Sequence, residues 1–133
     1  MLHVKFHDLQ DDPALIAEYE AHHVRIWPEV SRILRRLGVT GMDIHRLGTR
    51  MVMLMHTDDQ HFDPERFAAE TAADPTIQAW ETLMNRYQAP TPWTPPGEKW
   101  VEGQRIFSLA DQPLTDPPSP QPSPRPAPSS PGH

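Results

Sequence analysis

The order of hydrophobic patterns along this chain, β-α-β-β-α-β, predicts an α+β domain of the ferredoxin-like, split βαβ plan: an antiparallel four-stranded sheet with helices on one side. Three observations carry it. Residues 2–7 alternate apolar and polar side chains, the period of a half-buried strand. Two stretches of helical periodicity open on Asp-Pro pairs, which combine an acidic cap with a proline suited to the first turn. Between them, two strand-like runs flank Gly48-Thr49-Arg50, whose composition predicts a hairpin turn.

The elements follow in order. Leu2, Val4 and Phe6 alternate with His3, Lys5 and His7 and form the first strand. Asp11-Asp12-Pro13 starts a helix on which Leu15, Ile16, Tyr19, His22, His23 and Ile26 recur at helical spacing. Pro28 ends or kinks it and can open a second helical piece. Val30, Ile33, Leu34 and Leu37 give that piece an apolar face, and Gly38 stops it. Thr40 to Leu47 and Met51 to Thr57 are the paired strands. The run Met51-Val52-Met53-Leu54-Met55 predicts burial on both faces, one against the helices and the other against something else, such as a second subunit. Residues 64–72 form a short helix after Asp63-Pro64. Asp74-Pro75 starts the next, with Ile77, Trp80, Leu83, Met84 and Tyr87 in a stripe. A proline-rich loop, Pro90 to Gly97, leads to a last strand near Gln104 to Leu109. The bare sheet face needs a cover, so the expected assembly is a homodimer with the two sheets facing, a dimeric α/β barrel.

Length and composition bound the function. The 133 residues suffice for one domain, not two. Residues 111–133 hold nine of the seventeen prolines and almost no large apolar side chains, a composition expected to stay disordered. The folded domain is then residues 1–110. Of the formal charge of −6, Asp111, Asp116 and Arg125 contribute a net −1, which leaves −5 on the domain. An acidic domain argues against nucleic acid and anionic membranes as partners. No cysteine is present, which removes disulfides, thiol nucleophiles and cysteine metal sites. No apolar run reaches the roughly 18 residues of a membrane span, and the N-terminus lacks a signal-peptide core, so a cytoplasmic location is expected.

The chemistry concentrates at one helical turn. Tyr19 and His23 are four residues apart and share a helix face, directly before the rigid corner Trp27-Pro28-Glu29. Histidine can give and take a proton near neutrality, and a phenol can bond a hydroxyl or stack on a ring. Taken singly, each is more simply a packed residue. Trp80 and Glu81, adjacent on the last long helix, could supply an apolar wall and a hydroxyl-binding carboxylate. Trp93 and Trp100 flank Pro95-Pro96-Gly97-Glu98-Lys99, a preorganised segment suited to a lid or rim. The eight histidines do not predict a metal site. His22 and His23 point roughly 100° apart on a helix, His3 and His7 are too distant for a simple pair, and no His-Glu-x-x-His pattern exists. Glycine-rich phosphate loops and Gly-x-Ser-x-Gly elbows are also missing.

Tyr19-x-x-x-His23 followed by Ile26-Trp27-Pro28-Glu29 resembles the L-rhamnose mutarotase family, over nearly all of residues 1–109. Gly38, the Gln78-x-Trp80 helix and the ending Arg105-Ile106-Phe107-Ser108-Leu109 add weaker support. The resemblance implies a dimeric ferredoxin-like enzyme that interconverts the α and β anomers of a 6-deoxy sugar without a cofactor. It makes His23 the proton donor and Tyr19, Met42, Trp80 and Glu81 the substrate-binding positions, with Trp27, Trp93 and Trp100 as candidate walls. Two departures bear on substrate. The family's rhamnose enzymes carry a tyrosine where this chain has Met42. They also tend to have two tryptophans where it has Trp80-Glu81. The Trp80-Glu81 pair and the segment from Pro96 to Trp100 resemble members associated with L-fucose. Two other classes compete: a cofactor-free oxygenase on the same dimeric fold, and a sugar-binding module without catalysis.

Overall fold

The computed structural model describes residues 1–115. Its elements are β1 (Leu2–Leu9), α1 (Pro13–Val24), α2 (Pro28–Arg36), β2 (Val39–Leu47), β3 (Arg50–Thr57), α3 (Pro64–Ala73), α4 (Pro75–Met84), β4 (Gln88–Ala89) and β5 (Val101–Glu102), with a 3₁₀ turn at Leu109–Asp111. Met1–Gly103 forms one compact unit, and a second begins at Gln104. The tail expected at 111–133 lies, from residue 116 on, outside the described residues.

The predicted caps form. Asp12 accepts from the N–H groups of Ala14 (2.9 Å) and Leu15 (3.3 Å). Asp63 caps α3 through Glu65, and Asp74 caps α4 through Thr76 and Ile77. α1 stops at Val24, and Pro28 occupies the first turn of α2, so the kink is a three-residue break, 25–27.

The sheet order is β2-β3-β1-β4, with β5 also on β1, which is the antiparallel order of the split βαβ plan. β2 and β3 join through Gly48 and Thr49, with Leu47 opposite Arg50. Gly48 takes a positive φ of 61° and Thr49 does not, as a type II′ turn requires. The helices pack on the face that carries Leu9 and Met51, in a core with Tyr19, Val30, Ile77, Trp80, Met84 and Tyr87. Strand alternation puts Val4, Phe6, Val52 and Leu54 on the other face, where they are half-buried. The apolar run of β3 is therefore fully buried at Met51 and Met55 but only partly covered on its second face within the single chain.

The fourth strand corrects the sequence reading. No strand forms at Gln104 to Leu109. The pairing along β1 comes instead from two short pieces, Gln88–Ala89 against Asp8 and Leu9, and Val101–Glu102 against Lys5 and Phe6. They read as one edge strand interrupted by residues 90–100, with His7 of β1 opposite the gap. Pairing ends where Gly103 N–H donates to the Val4 carbonyl. Beyond it, Ile106 (90% exposed) and Phe107 (65%) show an apolar pattern without a ladder to join, and pattern alone does not make a strand.

Gly38 terminates α2 at φ 102°, and a Cβ there would lie 2.9 Å from the backbone N and Cα of Phe62. Both the dihedral and the contact oppose a side chain. Gly38→Ala should cost about 2–3 kcal/mol in urea unfolding. A loss under about 0.5 kcal/mol would show that the turn relaxes freely.

Candidate active site

Tyr19 and His23 sit one turn apart near the end of α1. The His23 Nδ1 lies 2.8 Å from the Tyr19 carbonyl oxygen. A carbonyl only accepts, so Nδ1 carries the proton, and neutral His23 presents the lone pair of Nε2. Burial holds His23 below its ordinary value of 6.5, and the neighbouring His22 pushes the same way, while the backbone bond to Tyr19 opposes them. At neutral pH the ring is a base, not an acid.

Aromatic rings fix its orientation. The Tyr19 ring lies 4.3 Å from the His23 ring, centroid to centroid. Trp80 meets His23 edge-on at 5.5 Å, and Trp27 meets Trp80 edge-on at 5.2 Å. The Tyr19 hydroxyl accepts a long bond, 3.4 Å, from the Gln88 amide, and burial raises its pKa above 10.0. Behind it, Tyr87 donates to Glu18 at 3.1 Å and lies 3.2 Å from His22 Nε2.

Tyr19, His23, Trp80 and Gln88 open onto a cleft of about 1330 Å³ between the helices and the sheet, ample for a monosaccharide. Tyr19, His23, Met42, Trp80 and Glu81 all line it, as does Trp100. Met42 stands on β2 opposite Met55 and gives that wall a thioether instead of a hydroxyl. Trp27 does not border the cleft and supports Trp80 from behind. Trp93 is not brought to it either. It is 75% exposed, with its ring 5.0 Å from the Arg50 guanidinium. Arg50 in turn holds Asp8 through two bonds of 2.9 and 3.1 Å, on the sheet face away from the helices.

The sequence reading missed three polar groups. Lys99 reaches Glu81 at 2.8 Å, and both line the cleft. Gln88 contacts Tyr19 from β4. His7 is buried with its ring 5.4 Å from Trp100, and its Nδ1 and the Gln88 Oε1 have no hydrogen-bond partner. Burial first, and then the Lys99 charge, lower the His7 pKa below 6.5. The alternation of β1 set His7 among its polar side chains and gave no sign that it faces inward, whereas the Pro95–Trp100 segment marked Lys99 as part of a rim. Nothing local signalled Gln88. Among the described residues, no cluster of three or more His, Asp or Glu could hold a metal, and no helix is long and apolar enough to cross a membrane.

A profile of the L-rhamnose mutarotase family matches residues 3–109. The chain belongs to the L-rhamnose mutarotase family. An L-fucose mutarotase of Xanthomonas campestris pv. campestris is 50% identical over 106 residues, covering 78% of this chain and 84% of that protein. A UPF0734 protein of Dictyostelium discoideum is 32% identical over 106 residues, covering 77% and 84%. Among solved structures, the L-rhamnose mutarotase of Formosa agariphila superposes with a TM-score of 0.61 at 15% identity, over 82% of this chain and 98% of that one. Tetracenomycin F2 cyclase of Streptomyces glaucescens superposes with a TM-score of 0.53, also at 15% identity, over 81% and 97%. At that identity the last two are alike in fold alone. Family membership makes the α+β, ferredoxin-like architecture that of the mutarotases.

The two depressed histidines have a consequence for stability. Unfolded, both titrate near 6.5, so between that value and their lower folded values the unfolded chain binds more protons. Their contribution is complete above about pH 6.5 and is lost as pH falls below it toward the folded values. The urea midpoint should be higher at about pH 7.5 than at about pH 5.5. In the double variant His7→Gln, His23→Gln that difference should shrink; an unchanged difference would assign the pH dependence to other groups.

Proposed function

We propose that this mutarotase-family chain interconverts the α and β anomers of a 6-deoxy-L-hexose, L-fucose ahead of L-rhamnose, with His23 as the central proton carrier. The observation that carries the reading is the His23 Nδ1 bond to the Tyr19 carbonyl, 2.8 Å. It aims a basic Nε2 into a cleft walled by Trp80. The 50% identity to an L-fucose mutarotase supports the preferred sugar.

The pyranose rests against Trp80 with its anomeric carbon at His23. Nε2 takes the proton of the anomeric hydroxyl, the bond from C1 to the ring oxygen breaks, and the ring oxygen takes a proton from water in the open cleft. The product is the free aldehyde. The C1–C2 bond rotates, the ring oxygen attacks the other carbonyl face and releases its proton, and His23 returns its own to the new anomeric oxygen. His23 thus donates only after it has accepted. A positioned acid–base group contributes about 10²–10⁴-fold, enough to matter for a reaction that already proceeds slowly in water. No cofactor enters the scheme. A second copy covering the Val4, Phe6, Val52 and Leu54 face would complete the burial of a sheet face that the single chain leaves half-covered. A cofactor-free oxygenase fits less well, because the Glu81–Lys99 pair makes one wall ionic.

Proton NMR magnetisation transfer between anomers tests the reading. The chain should accelerate exchange, and His23→Ala should lose about 10²-fold or more while still binding sugar. The acidic limb of kcat/KM should lie below pH 6.5, since protonating Nε2 abolishes the base. If the wild type speeds neither sugar, the enzyme assignment is wrong; if His23→Ala keeps full activity, the residue is.

A further inference from the structure

Residues 90–100 are an insertion held at both ends. Near its start, the Thr91 and Thr94 hydroxyls bond each other at 2.7 Å, and Trp93 N–H donates to Thr91 at 3.2 Å. Trp93 is clasped over Arg50. A second turn closes from Glu98 N–H to the Pro95 carbonyl at 3.1 Å, with Gly97 at φ 86°. Trp100 then anchors against His7. Between these anchors, Lys99 is carried to α4, where Nζ meets Glu81 Oε1.

As a structural ion pair this contact would contribute little. Both side chains are over a third exposed, and ion pairs so open to solvent add little to stability. Its position is more informative, because the pair faces the same cleft as Tyr19, His23 and Trp80. One N–H of the ammonium is spent on Glu81, leaving two donors, and the second carboxylate oxygen remains an acceptor. Adjacent sugar hydroxyls are each donor and acceptor and lie within hydrogen-bond reach of one another. A donor and an acceptor 2.8 Å apart can therefore engage one hydroxyl each. With C1 at His23, the hydroxyls at the far side of the ring are those on C3 and C4. In a 6-deoxy-galactose these are cis, with the C4 hydroxyl axial. In a 6-deoxy-mannose they are trans.

We propose that Lys99 is a substrate-specificity residue that binds the C4 hydroxyl of the sugar while Glu81 binds the C3 hydroxyl, and that the pair selects the galacto over the manno configuration. The inference rests on the mutarotase reading above. It assigns the interrupted edge strand a purpose: to deliver one lysine to the diol.

The test measures anomer exchange of L-fucose, 4-deoxy-L-fucose and L-rhamnose by wild type, Lys99→Met and Lys99→Arg. Lys99→Met should lower kcat/KM for L-fucose about 10-fold or more, mainly through KM, because a buried hydroxyl loses its partner. It should change 4-deoxy-L-fucose and L-rhamnose by less than about 3-fold, and Lys99→Arg should recover part of the loss. Equal losses on all three sugars would make Lys99 a purely structural support, and no loss on L-fucose would remove it from the site; either result overturns the proposal. A wild type that accelerates none of the sugars would instead overturn the mutarotase reading itself.

Discussion

The chemistry of this protein depends on a single hydrogen bond, from His23 Nδ1–H to the carbonyl of Tyr19. It is made within one helical turn, so it needs no long-range assembly to form. It consumes the only ring N–H of the neutral imidazole and so decides which nitrogen faces the cleft. Burial then decides the charge, holding the ring neutral where a free histidine would be partly protonated. Aromatic rings surround it: Tyr19 tilted against one side, Trp80 edge-on at another, and Trp27 behind Trp80. Each limits a rotation that would break the bond or swing Nε2 away.

A second constraint is the path of the edge strand. β1 is paired along its whole length on the β3 side but only in two short pieces on the other. The gap at His7 lets the intervening residues leave the sheet and come over the end of the cleft. The same detour carries Trp93 to one face of the sheet and Lys99 and Trp100 to the other. One insertion therefore fastens itself on the open face and furnishes the site on the helical face. Half of the ionic wall of the cleft comes from this detour and half, through Glu81, from α4.

What could be read from the sequence was what is local. The three Asp-Pro caps form because the N–H groups that each carboxylate accepts from lie only two or three residues away. The Tyr19–His23 pair is legible because helical spacing alone aligns it. Trp80 and Glu81 are legible as neighbours on a periodic helix. The apolar pattern of 104–109 makes no strand, because the free side of β1 is taken by Gln88–Ala89 and Val101–Glu102. Trp93 and Trp100 looked equivalent in a proline-rich segment, yet the loop path separates them across the sheet. Lys99 and Gln88 meet partners 18 and 69 residues away, and nothing in their own neighbourhoods specifies those contacts. The strand, helix and cap chemistry thus lies in the sequence as short-range physics, while the specificity wall arises only once the sheet order is set.

The most direct measurement is the nitrogen-15 NMR signature of the His23 ring at neutral pH, assigned by its loss in a His23 variant. The account predicts a neutral ring with the proton on Nδ1 and a lone pair on Nε2, persisting as the pH falls below 6.5. A proton resident on Nε2, or an imidazolium at neutral pH, would contradict it.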